Sequence, residues 1–261
     1  MRVSRRQFLA CCAVGAAGTA FGLEDSGAEA FTFAAINDMH VTDTASAALL
    51  DKAVAHINAD ARIRFVAALG DMATMGQTEE LAAAKTSLDR LKPRYFAVPG
   101  NHDVAMQPDN PFGNYRSVFG DPHWVHEDGG WAFIGFNSCE LALSDVTVSP
   151  EEVAWLKEQA ARVDAKRPIA IFCHHPLNPN TRQYRIRNAD DILAVFAGRA
   201  LKLAAAGHWH GNQVEEQEGV LFTTTACCST TRNNFDGTSE KGYRLFHLTG
   251  GTAATEFVPV A

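Results

Sequence analysis

The chain has 261 residues, 46% hydrophobic and 20% charged, with a formal net charge of −7. An acidic chain with no run of lysines or arginines lacks the clustered cations that tracking a nucleic-acid backbone requires, so no nucleic-acid partner is expected. Six cysteines, including adjacent pairs at 11–12 and 227–228, imply no disulfide framework, while a bridge from Cys139 stays open.

The N-terminus reads first. Ser4-Arg5-Arg6-Gln7-Phe8-Leu9 has the twin-arginine form, an Ala- and Gly-rich stretch follows over 10–23, and Ala28-Glu29-Ala30 offers a cleavage site ahead of Phe31. Residues 1–30 resemble a Tat signal peptide, which implies passage of the folded chain through the Tat translocation machinery to a bacterial periplasm or the medium. The apolar stretch is too short and too rich in glycine for a spanning helix, so no stable membrane anchor is expected. Cys11 and Cys12 follow the arginines too closely, and without a lipobox, to mark a lipoprotein. Residues 31–261 are long enough for one domain with a large core.

Five short apolar runs, β-branched or aromatic and bounded by Gly, Asn or Pro, occupy 31–36, 63–69, 95–98, 169–173 and 200–206. They read as buried strands, with Cys173 as a small buried hydrophobe. Between them, Leu50, Val54 and Ile57 recur at helix spacing, as do Leu81, Leu88 and Leu91. Ser149-Pro150-Glu151-Glu152 is a capping box with Pro at the first helical position, and Val153, Leu156 and Val163 share one face behind it. This alternation predicts an α/β fold whose functional loops gather at the carboxyl ends of the strands.

Each of the five runs ends in residues that bind metals: Asp38-Met39-His40, Gly70-Asp71, Gly100-Asn101-His102-Asp103, His174-His175-Pro176 and Gly207-His208-Trp209-His210. One such cluster is weak, because a single histidine at a strand end is more often structural. Five together offer carboxylates, imidazoles and an amide, a donor set suited to two metal ions rather than one. A paired site activates water at neutral pH and clamps both the attacking and leaving oxygens of a phosphoryl displacement.

The order D-x-H, G-D, G-N-H-D, H, G-H-x-H resembles the calcineurin-like metallophosphoesterase superfamily, with all five blocks present between 38 and 210. That resemblance implies a four-layer αββα sandwich, with two metals about 3.5 Å apart. It places Asp38, His40 and His210 on the first metal, Asn101, His174 and His208 on the second, and Asp71 between them. A shared hydroxide would be the nucleophile. The first site has more anionic oxygen and suits a harder ion; across the pair Fe, Mn and Zn all remain open. His102 is expected to face the substrate and protonate the leaving oxygen, with Asp103 hydrogen-bonded to its other nitrogen to fix the tautomer or, alternatively, capping a helix. His175 is either an outer partner of the ligands or a packed neighbour of His174.

Thr74 stands where purple acid phosphatases carry the tyrosine that colours their iron, so no such charge-transfer band is expected. The segment 149–158 and His174-His175-Pro176 resemble the class III cyclic nucleotide phosphodiesterase branch. The expected substrate is therefore a small phosphoester, a diester or a monoester. A phosphoprotein phosphatase, or an exported metal-binding or regulatory protein without turnover, are the alternatives. Arg182, Arg185 and Arg187 either deliver guanidinium groups to a phosphate or form a solvated loop face. Residues 112–119 are expected to cap the site, and 230–236, with Arg232 and Asn233, to reach its rim. Oligomeric state is not readable.

Overall fold

The computed structural model describes residues 29–105 and 109–260. The twin-arginine segment lies outside the described residues. In chain order the elements are β1 (Phe31–Ile36), α1 (Ala48–Ala59), β2 (Ile63–Leu69), α2 (Thr78–Leu88), β3 (Arg94–Val98), α3 (Gly113–Phe119), β4 (Trp124–Asp128), β5 (Trp131–Gly135), α4 (Pro150–Arg162), β6 (Ile169–Phe172), α5 (Ala189–Ala194), β7 (Leu201–Ala205), β8 (Gln213–Gln217), β9 (Val220–Thr224), β10 (Gly242–Thr249) and β11 (Thr252–Pro259). Among the described residues, no helix is long and apolar enough to cross a membrane.

Two sheets form. One has the order β11-β10-β1-β2-β3 and the other β4-β5-β6-β7-β9-β8. In the first, β1, β2 and β3 are parallel and β10 closes antiparallel on β1; in the second, β5, β6, β7 and β9 are parallel, with β4 and β8 as antiparallel edges. Strands buried on both faces are apolar at nearly every position, which is why the five runs are almost continuous rather than alternating, with Thr32, Arg64 and Lys202 as the polar exceptions.

The pleat sorts those residues between layers. Phe31, Phe33 and Ala35 of β1 enter the core between the sheets, whereas Ala34 and Ile36 face helices α1 and α2. In β6, Ala170 and Phe172 point inward, and Ile169 and Ile171 pack under α4 and α5. The result is the four-layer αββα sandwich. Phe33 anchors its centre, lying face to face with Phe65 and with Phe246 at 4.8 Å each while Phe133 and Phe172 meet it edge-on. Such pairs contribute about 0.5–1.5 kcal/mol each beyond area burial.

Two expectations shift. Helix α2 ends before Leu91, which still packs against the same core from the following turn. At α4, Ser149 Oγ accepts from Glu152 N at 3.3 Å with Pro150 at the first position, but the Glu152 carboxylate does not complete a capping box. It accepts instead from His123 Nε2 at 2.8 Å, tying the helix to the segment before β4. The segment 112–119 contributes no residue to the cavity above Asp71 and His102. It forms α3, whose Tyr115 is fully buried against the α1–α2 core and stacks on Phe119.

His123 also meets Asp121 at 2.9 Å and the Trp155 ring at 4.5 Å. Burial opposes its charge, but Glu152 and then Asp121 outweigh burial and raise its pKa above the usual 6.5. A raised histidine pKa contributes stability that is complete below the unfolded value and lost as pH rises through the folded one. Glu152→Gln is therefore expected to cost about 1 kcal/mol in urea melts at pH 5.5 and clearly less at pH 9. An equal loss at both pH values would remove the charged pair from the account.

Candidate metal centre

The parallel strands of both sheets end at one edge of the sandwich, and the loops leaving them converge. Asp38 and His40 follow β1, Asp71 follows β2, Asn101 follows β3, His174 follows β6, and His208 and His210 follow β7. Five of these residues hold a left-handed backbone: Asp38 (φ 54°), His40 (46°), Asp71 (53°), His208 (64°) and His210 (40°). The conformation turns the chain sharply back toward the site. It costs on the order of 1–3 kcal/mol per non-glycine residue and persists only where the surroundings enforce it. Here Asp38 N donates to Gly70 O at 3.0 Å, His40 N to Asp71 O at 2.9 Å, and Gly207 N to His174 O at 3.0 Å. Gly100 is required for a different reason: a Cβ there would lie 2.2 Å from Asp71 N and Oδ1.

The donor atoms form two groups, Asp38, His40, Asp71 and His210 in one and Asp71, His174 and His208 in the other, with Asp71 common to both. Its Oδ2 lies 3.4 Å from His40 Nε2 and its Oδ1 3.4 Å from His174 Nε2. In the first group His210 Nε2 is 3.2 Å from Asp38 Oδ1 and 3.3 Å from His40 Nε2. In the second, His174 Nε2 is 3.1 Å from His208 Nδ1 and 3.2 Å from Asn101 Oδ1. All seven side chains are buried.

Hydrogen bonds facing away from the centre set the direction of the lone pairs. His174 Nδ1 donates to Leu69 O at 2.8 Å, His208 Nε2 to Ser144 O at 2.8 Å and His210 Nδ1 to Asn233 O at 3.0 Å. Each spends one nitrogen outward and aims the other inward, the orientation a metal ligand needs. Asn101 Nδ2 donates outward to Ala142 O, turning its oxygen in. Asp38 Oδ1 and His40 Nδ1 are buried without a hydrogen-bond partner.

Imidazole lone pairs that face each other this closely need a cation between them or a proton. Without a cation the carboxylates draw protons in. Burial opposes the charge on His210, yet Asp38 pushes it up to about 11; burial likewise opposes His174, yet Asp71 and Asp38 push it up to about 9. The residues present fit a divalent metal site.

His102 stands beside the cluster, its ring 4.8 Å from that of His40, and lines the cavity above it. Asp103 does not hydrogen-bond to it, which corrects the expectation. His102 Nδ1 donates instead to Thr74 O at 2.7 Å, so a backbone carbonyl fixes its tautomer. Asp103, fully buried, accepts from Ala73 N and Gly100 N at 2.8 Å each and ties the β2 and β3 loops together. Burial, then the nearby Asp71 carboxylate, push its pKa up to about 7 against those two donors. His175 packs 4.3 Å from the His208 ring and bonds Ser138 Oγ at 2.9 Å and Leu143 O at 3.2 Å.

The cavity has a volume of about 300 Å³. Above the ligands its walls are Ser144, Tyr184, Thr231, Arg232, Asn233 and Phe235. The 230–236 loop thus reaches the rim as expected, but Arg182, Arg185 and Arg187 do not line this cavity. Arg185 Nη1 donates to Thr181 O and Arg187 pairs loosely with Asp145 at 3.9 Å. Tyr184, from that same loop, reaches the site in their place. It and Phe235 escaped sequence reading, where an isolated aromatic inside a polar loop was the signal to follow.

Residues 31–212 match the calcineurin-like phosphoesterase family. The chain belongs to that family. It is 27% identical over 167 residues to a probable glycerophosphodiester phosphodiesterase of Arcobacter nitrofigilis, covering 60% of each chain. It is 24% identical over 162 residues to a probable cyclic nucleotide phosphodiesterase of Fibrobacter succinogenes, covering 59% of this chain and 61% of that one. The chain thus spans about three fifths of the length of these relatives. Its fold superposes on the Plasmodium GAP50 protein, the anchor in the inner membrane complex, with a TM-score of 0.64 at 15% identity, covering 88% of this chain and 85% of the other. The yellow lupin purple acid phosphatase PPD1 gives 0.64 at 11% identity, covering 90% and 52%. The family model, ending at 212, leaves out the 230–236 rim.

Three substitutions separate the roles of neighbouring residues. Asp71→Asn is expected to lower metal binding across the whole cluster, while Asn101→Ala lowers it mainly at the His174–His208 group; equal loss in the Asn101 variant, measured by metal titration, would contradict the shared role of Asp71. Asp103→Asn turns an N–H toward one of two backbone donors and is expected to destabilise by roughly 1–3 kcal/mol in thermal melts, with the His102–Thr74 bond intact.

Proposed function

We propose that the chain is a binuclear metal-dependent phosphoesterase acting on small phosphodiesters. The observation that carries this reading is the Asp71 carboxylate, whose two oxygens each face a different group of ligands at 3.4 Å. One carboxylate divided in this way suits two cations held close together. When bound, the pair would lower the pKa of water at the site and neutralise charge on the phosphoryl oxygens. The donor set accommodates Fe, Mn or Zn. The names of both curated relatives favour a diester over a monoester.

The chain's own residues supply the remainder. His102, held at Nδ1 by the Thr74 carbonyl, presents Nε2 to the cavity. From there it passes a proton to the ester oxygen as a water oxygen bonds to phosphorus and the ester P–O bond breaks, so the alcohol departs neutral. The neutral Asn101 amide adds no negative charge beside the incoming phosphate. Burial of the ligands excludes bulk water and strengthens each electrostatic contact. The twin-arginine segment supports export of the folded protein; retention of the chain in the cytoplasm after Arg5→Lys and Arg6→Lys, followed by fractionation, is the expected sign.

The test is hydrolysis of bis-p-nitrophenyl phosphate and p-nitrophenyl phosphate by protein stripped with a chelator and reloaded with Mn, Fe or Zn. Metal-dependent turnover with the diester preferred is expected, and a strong monoester preference would make it a phosphatase. His102→Ala should lower kcat about 10² to 10⁴-fold with metal content unchanged. Full activity in that variant would remove its acid role. No turnover of either ester with metal bound would favour a binding or regulatory protein.

A further inference from the structure

The cavity wall that carries Tyr184 and Phe235 has features that metal chemistry does not require. Phe235 lies parallel to the His210 ring, 5.0 Å between centroids and 5° between planes, and Tyr184 lies 5.3 Å from Phe235 at 20°. Tyr184 also meets His208 edge-on at 5.5 Å. The aromatic wall is thus built directly onto one ligand from each metal group. Phe235 remains 49% exposed. It is not loosely placed, because its N–H donates to His210 O at 2.9 Å and the next residue, Asp236, accepts from Asn212 N at 2.9 Å.

Exposed large apolar side chains are not spread evenly. Of the six among the described residues, Met75, Leu141, Leu143 and Phe235 stand on loops that also carry or contact the ligands. The other two, Val125 and Val214, lie on the edge strands β4 and β8. Of these four, Phe235 lines the cavity itself.

Arg232 supplies the complementary group. Its carbonyl accepts from Lys241 Nζ at 2.8 Å, which fixes the backbone. Arg232 lines the cavity, and its guanidinium makes no hydrogen bond or ion pair among the described residues. A half-buried guanidinium without a partner, above a cluster suited to phosphate, is placed for a bidentate contact to phosphoryl oxygens.

We propose that Arg232, Phe235 and Tyr184 form a specificity subsite for phosphodiesters whose ester arm is a flat aromatic ring, an aryl group or a nucleobase. Arg232 takes the non-bridging phosphoryl oxygens, and the aromatic wall takes the ring by stacking. This rests on the phosphodiesterase reading and narrows its substrate class. A glycerol arm, with hydroxyls and no flat face, gains nothing from the wall.

The experiment compares kcat/KM for bis-p-nitrophenyl phosphate, a nucleoside p-nitrophenyl phosphodiester and glycerophosphocholine in the metal-loaded protein and three variants, with metal content measured for each. Phe235→Ala should lower the ratio of aromatic to glycerol diester turnover roughly 10- to 100-fold, the usual range for loss of one stacking partner. Phe235→Leu should recover little of it, since area returns without a flat ring. Arg232→Gln should lower turnover of every diester roughly tenfold or more without changing that ratio. The nucleoside ester losing more than the aryl ester would assign the wall to a base. Equal loss of all three substrates in Phe235→Ala would overturn the subsite, leaving Phe235 as packing for His210. Should the wild type turn over none of them, the phosphodiesterase reading fails separately. Calorimetry on the metal-free protein then decides the subsite: tighter binding of phenylphosphonate than methylphosphonate, abolished in Phe235→Ala, is expected, and equal affinities would refute it.

Discussion

Everything in this molecule depends on bringing seven electron-rich side chains from two sheets to within hydrogen-bonding distance of one another. Two carboxylates, four imidazoles and an amide do not attract each other, and burial makes their mutual repulsion worse. The scaffold that holds them has to be rigid before any cation arrives. The sandwich achieves this by ending both sets of parallel strands at a common edge, so each ligand is only two to five residues from a strand locked in a ladder. The stack of Phe33 with Phe65 and Phe246 lies in the layer between the sheets that sets the separation of those strand ends.

Rigidity continues outward through the backbone rather than through other side chains. Leu69, Ser144, Asn233 and Thr74 all offer carbonyl oxygens, three to ligands and one to His102. A carbonyl acceptor has no pKa of its own in the working range, so the tautomers it imposes do not change as nearby groups titrate. The five left-handed residues are the other side of the same arrangement. Their backbone strain is tolerated because glycines at 70, 100 and 207 let the loops nest tightly enough to hold them.

The strands and ligand motifs were legible in the sequence because each rests on local chemistry. A doubly buried strand must be apolar at almost every position, and a ligand at its end must be Asp, His or Asn, so the runs at 31–36 and 63–69 and the residues Asp38, Asp71 and His208 stand out. Contacts across the fold were not legible. The partner of His102 is a carbonyl at Thr74, and carbonyls leave no mark in sequence; the neighbouring Asp103 was the plausible acid, yet two backbone N–H groups claim it. Glu152 sits in a capping-box pattern but serves His123, nearly thirty residues earlier. The arginines at 182, 185 and 187 attracted attention by charge, whereas Tyr184 between them is the residue that turns into the site. Loop direction depends on register and on left-handed turns, including the one at Tyr184 itself, that single-residue types do not reveal.

Because the ligands divide between the two sheets, a cation bound there would act as a crosslink between halves of the sandwich. Ion release would remove one tie between the sheets, and a bound cation would add RT ln(1 + [L]/Kd) to the stability that the apolar layer between them already provides. In any compartment the margin of stability would therefore rise with the supply of the ions the site takes.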